Sequence, residues 1–128
     1  MTEVPDSSTH RDEILDLATL EELLSLDDGA TGLVTEMSGL FQEDGPLRIT
    51  QLKEACEKED PHAAGESAHA LKGAAGTLGA VRLRTAAGEA ERLARQKDLP
   101  AIQLLIPDLE ASYPEFMEAL QAFIRAKS

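Results

Sequence analysis

His69 and Lys72 stand one helical turn apart in the stretch DPHAAGESAHALKGAAGTLG, which runs from Asp60 to Gly79. An unprotonated ring nitrogen makes histidine a nucleophile, and a solvent-accessible imidazole supplies one near neutral pH. A lysine one turn away is within reach of any anion that the ring takes up. Rotating each residue by about 100° places His62, Gly65, Glu66, Lys72, Gly73 and Gly76 within about a third of the circumference on either side of His69. No hydrophobic core calls for that set. An interior helical glycine costs up to about 1 kcal/mol relative to alanine, so these glycines need an offsetting use. Bare backbone beside an imidazole leaves the ring clear of the helix, with room for another protein's surface to approach.

The element that positions these residues reads as one helix of about five turns. Asp60 is its N-cap, Pro61 suits the first helical position, and Gly79 can take the left-handed conformation that ends a helix. Ala64, Ala68, Leu71, Ala75 and Leu78 share the face opposite His69 and form its buried side.

Other helices must cover that side. The residues 1–13 mix Pro, Ser, Thr and charge without periodicity and read as a mobile tail, in which His10 has no expected role. The residues 14–128 then form a single domain. Thr19-Leu20-Glu21-Glu22 fits a capping box, and Leu20, Leu23 and Leu24 give a short helix that ends at Asp27-Asp28-Gly29. From about Thr31 to Lys58 the apolar positions keep helical spacing, with a kink or two consecutive helices expected at Gly45-Pro46. Cys56 lies on the apolar side of this helix as a small core filler. Leu83, Ala86, Ala87, Ala90, Leu93 and Ala94 mark a further helix to about Gln96. The last stripe runs from Ile102 to Ile124; Pro107 and Pro114 within it predict bends, or a start as late as Asp108. No strand pattern emerges. The fold class is all-α: an antiparallel four-helix bundle with a short additional N-terminal helix.

The 24 acidic against 12 basic residues give a formal net charge of −12, which argues against nucleic acid and against anionic membrane surfaces as partners. No apolar run approaches the ~20 residues of a membrane span, and the N-terminus lacks the basic and apolar regions of a signal peptide. A single cysteine excludes an intrachain disulfide and fits a reducing compartment. A cytoplasmic monomer is expected. There is no phosphate-cradling glycine-rich loop and no kinase nucleotide motif, so self-phosphorylation from ATP is not expected.

His69-Ala70-Leu71-Lys72-Gly73, followed by Gly76 and Gly79, closely resembles the signature of histidine phosphotransfer (HPt) domains, His-x-Leu-Lys-Gly with a second glycine six residues after the first. The resemblance implies a helical bundle presenting a phosphorylated histidine at His69, a phosphate-side lysine at Lys72 and a small residue beside the imidazole at Gly73. Ala74 stands where many members carry a serine, so a hydroxyl contact to the imidazole is not implied. The implied function is relay of a phosphoryl group in a multistep phosphorelay. The implied partners are receiver domains of a hybrid histidine kinase and of response regulators, with aspartates as donor and acceptor and Mg²⁺ supplied by the partner; this chain itself would carry no cofactor. His62, Gly65, Glu66 and Gly76 are candidate partner-binding positions around that centre.

Two further readings share the same residues. One is an acidic helical adaptor whose His69 is never phosphorylated. The other is a metal-binding bundle, because Glu66-x-x-His69 has the spacing of di-iron bundles and His62 lies on the same face. Such ligands would have to point inward, whereas this face lies opposite the buried one.

Overall fold

The computed structural model describes residues 14–128; the tail expected over residues 1–13, with His10, lies outside them. Among the described residues five helices follow one another: α1 Leu17–Leu26, α2 Gly32–Glu57, α3 Pro61–Thr77, α4 Val81–Arg95 and α5 Leu99–Lys127. Short links reverse the chain between consecutive long helices. They close a ring in which α2 and α4 each pack on both α3 and α5, while α1 rests on α2. Among the described residues no helix is long and apolar enough to cross a membrane.

The α3 boundaries follow from its punctuation. The Asp60 carboxylate accepts a hydrogen bond from the Ala63 N–H at 3.1 Å, Pro61 occupies the first turn, and Gly79 has φ +73°. Glycine is required at that turn twice over, since a Cβ at Gly79 would also come within 3.0 Å of the Asp16 carbonyl oxygen. The Asp16 N–H donates to the Gly79 carbonyl at 2.8 Å and ties the start of α1 to the α3–α4 turn. Asp16 is also the true cap of α1. Its carboxylate accepts from the Thr19 N–H at 3.3 Å, so the capping box expected at Thr19 is replaced by a cap three residues earlier.

Proline did not divide the helices. The α2 helix runs unbroken through Pro46, and α5 runs through Pro107 and Pro114. It begins at Leu99 rather than Asp108, because the Asp98 carboxylate accepts from the Ala101 N–H at 3.2 Å and caps it. The physical reason is where the freed carbonyls lie. Pro46, Pro107 and Pro114 are exposed, as are Gln42, Gln103 and Glu110, four residues before each, so water can take the place of the missing N–H. The apolar stripe on the other side of each helix is buried and offsets the remaining cost.

Leu20, Leu52, Leu71, Leu83, Leu109 and Leu120 are fully buried, each contributing about 1.5–3 kcal/mol of apolar transfer. Ala64, Ala68 and Ala75 of α3 and Ala87 and Ala90 of α4 are equally closed off, and their small size lets the two axes approach. Cys56 is buried, and burial pushes its thiol above the ordinary range, as suits a core filler rather than a nucleophile. Phe41 packs edge-on against Tyr113 and Phe116 at centroid distances of 5.4 and 6.0 Å. The Tyr113 hydroxyl donates to the Phe41 carbonyl at 3.0 Å in the turn before Pro46.

Tyr113 explains Gly45. A Cβ at that buried glycine would collide with the Tyr113 ring. Gly45→Ala should therefore lower stability by about 1–2 kcal/mol, overpacking outweighing the gain in helix propensity. An unchanged or higher urea midpoint would show that the ring moves aside freely.

Candidate functional site

The site lies along the seam where α3 and α4 run antiparallel. On α3 the row is Gly76, Lys72, His69, Gly65 and His62; on α4 it is Arg84, Gly88, Glu91 and Arg95, spaced by four, three and four residues. Side chains from one row fill gaps in the other. A Cβ at Gly88 would meet the Lys72 Cδ at 3.4 Å, one at Gly76 would meet the Arg84 Cδ at 3.3 Å, and one at Gly65 would touch the Ala94 Cβ at 3.5 Å. Glycines thus make room for the stems of two cations as well as for close packing.

Glu91 organises the centre. Its carboxylate oxygen Oε2 lies 2.8 Å from His69 Nδ1, and its Oε1 lies 2.7 Å from Lys72 Nζ. Arg95 stands further off, 3.9 Å from Oε2. The glutamate side chain is only 13% exposed while the imidazole is 70% exposed, so the anchor is sheltered and the ring projects. Oε1 is shut off from water and forms no well-aligned hydrogen bond, so the Lys72 ammonium charge is what compensates it. The Lys72 contact holds the Glu91 carboxyl below the usual carboxylate range, the His69 contact adds to it, and partial burial opposes both. A lowered folded-state value means that this contribution to stability is present at neutral pH. It is lost as pH falls from the ordinary carboxylate range through the folded value.

An ionised carboxylate only accepts hydrogen bonds, so His69 Nδ1 must carry the proton in the contact with Glu91. In the neutral ring Nε2 is then the nitrogen that keeps its lone pair. Gly73, one turn beyond the imidazole, is exposed and has no atom within 4 Å of where a Cβ would stand. The other side of the ring opens on a groove bordered by Pro61, His62, Gly65, Glu91 and Arg95. His62 and Glu66 are exposed and pair with each other at 3.6 Å. Glu66 therefore serves His62 rather than His69, against the spacing of a metal motif. Among the described residues no group of three or more His, Cys, Asp or Glu side chains is placed to hold a metal ion.

Three residues of the seam had no part in the sequence reading: Glu91 and Arg95 beside the imidazole, and Arg84 two turns away at Gly76. A signal for Glu91 existed, since it lies four residues after buried Ala87 and three before buried Ala94. That spacing sets a carboxylate at the edge of an alanine stripe. A larger groove between α4 and α5, lined by Val81, Ala86, Leu105 and Ala111 among others, shares only Gly88 with the site.

The family model for the Hpt domain matches residues 36–124, a span that takes in both rows of the seam. Comparison with curated proteins and with solved structures found no match.

Proposed function

The chain belongs to the Hpt domain family, and from that premise we propose that it relays phosphoryl groups between receiver-domain aspartates in a multistep phosphorelay, with His69 as the acceptor. Histidine phosphotransfer in two-component systems is what the family does, and its members interact with receiver domains. The observation that carries the finer reading is the Glu91 contact, which leaves Nε2 as the nucleophile on an exposed ring.

In the forward step the Nε2 lone pair attacks the phosphorus of an aspartyl phosphate. The N–P bond forms as the P–O bond to the aspartate breaks, and the aspartate leaves as carboxylate. No proton has to depart, because Nδ1 already holds the only one on the ring. The ring becomes positive in the process, and the Glu91 carboxylate 2.8 Å away stabilises that charge. Lys72, one turn on, is close enough to move from Glu91 to a phosphoryl oxygen, while Arg95 remains near the carboxylate. The Mg²⁺ is assigned to the receiver partner. The reverse step uses the same groups with a second receiver.

The test is to mix the protein with receiver domains phosphorylated on their aspartates and follow the label. A phosphoramidate on His69, labile to acid and stable to alkali, supports the relay. Absence of label, or label on a hydroxyl or carboxylate, would leave the adaptor reading standing instead.

Glu91→Leu removes the anchor while keeping its apolar stem. Loss of a charge-assisted hydrogen bond, about 1.5–3 kcal/mol, should slow single-turnover transfer by roughly ten- to a hundredfold. The imidazole ¹⁵N shifts should at the same time lose the Nδ1–H tautomer. A variant with unchanged rate and tautomer would remove Glu91 from the mechanism.

A further inference from the structure

We infer that Arg84 is a docking residue that grips a carboxylate on the receiver partner, from a bed that Gly76 provides on the His69 face. The inference rests on the phosphotransfer reading above and adds to it a specific point of partner recognition. The Arg84 stem crosses from α4 onto α3, where its Cδ would lie 3.3 Å from a Cβ at Gly76. Gly76 follows His69 by seven residues, so the two share a face about 10 Å apart along the axis. Between them Gly73 presents open backbone. A flat partner surface can therefore lie across the face from the imidazole to the guanidinium.

The guanidinium has no partner among the described residues. Arg48, Arg82, Arg92 and Arg95 each stand against a carboxylate. Arg84 is exposed and makes no hydrogen bond or ion pair with any described residue. Arg125, Lys58 and Lys97 likewise lack an ion pair among the described residues, so what singles out Arg84 is its seat beside Gly76 on the His69 face. Glu91, the sheltered acid of the seam, is already taken by His69 and Lys72. No carboxylate of the described residues pairs with Arg84, and the planar guanidinium fork matches a partner's carboxylate in a bidentate fashion. Charge complementarity also selects the partner. On a chain of net charge −12, an acidic surface is repelled over most of the molecule and attracted where Lys72, Arg84 and Arg95 line the seam. At this distance from the ring, Arg84 meets the partner rather than the phosphoryl group. Its effect belongs in encounter and affinity, not in the chemical step.

The test uses the full chain as wild type, Arg84→Met and Arg84→Glu, with two phosphoryl donors. One is a receiver domain chosen because, phosphorylated on its aspartate, it labels the wild type. The other is phosphoramidate, which needs no docking surface. Arg84→Glu should raise KM for the receiver by roughly tenfold or more and leave kcat within about twofold, with Arg84→Met between it and wild type and less sensitive to salt. Phosphoramidate labelling and the melting curve should be unchanged. An unaltered KM in Arg84→Glu overturns the inference and leaves the relay intact. Equal slowing with both donors overturns it too, placing Arg84 on the phosphoryl group. If no receiver labels the wild type, the relay reading fails and takes this inference with it.

Discussion

His69→Gln should abolish phosphoryl transfer while leaving the bundle folded. The amide has no nucleophilic lone pair comparable to the imidazole Nε2, so the loss is of the acceptor itself rather than of a fraction of rate. The fold has little at stake, because the ring is 70% exposed and its one polar contact among the described residues is with Glu91. The glutamine amide N–H can still donate to that carboxylate, and a surface change of this kind usually shifts stability by no more than about 0.5 kcal/mol. The checks are labelled transfer from a phosphorylated receiver and a thermal melt on the same preparation. Label on the variant would move the acceptor elsewhere. His62 is the rival to consider, and it lies two turns away, paired with Glu66.

Gly73→Gln is the second large effect, and it separates stability from function. The position is mid-helix and exposed with open space around it, so a side chain fits without strain. Replacing an interior glycine should gain roughly 0.5–1 kcal/mol of helix stability. The same side chain would stand beside His69, four residues away on one face. In the proposed relay it would occupy the space through which a receiver brings its aspartate, and transfer should fall by tenfold or more even as the melting temperature rises by a few degrees. A stabilised protein with undiminished transfer would show that bare backbone at Gly73 has no part in access. Gly76 differs from Gly73 in having a structural use of its own, the bed for Arg84.

The prolines show where local reasoning allowed a break that the helices do not make. A cost of about 3 kcal/mol for proline inside a helix assumes that the carbonyl four residues earlier loses its partner for good. In α2 and α5 those carbonyls belong to exposed Gln42, Gln103 and Glu110. Solvation depends on whether another element covers the outer side of the helix, and that is decided only by the tertiary fold. The start of α5 shows the reverse error, for Asp98 and Pro100 carry the same punctuation as Asp60 and Pro61 and needed no tertiary information to be read.

By itself the sequence determined what is periodic or adjacent. His69, Lys72 and Gly73 share a helical face because 3.6 residues make a turn. Asp60-Pro61 and Gly79 bound that helix through cap and left-handed geometry. The Ala/Leu stripe opposite fixes which side is buried, and hence that the imidazole projects. Only the tertiary structure decided that the ring's partner is Glu91, 22 residues away on α4, and that Lys72 is held by the same carboxylate. It also decided that Gly76 and Gly88 receive the stems of Arg84 and Lys72. Those pairings depend on how far one helix is slid along the other and turned about its axis. Side-chain volume across the whole α3–α4 interface sets both quantities, and no spacing within either helix encodes them.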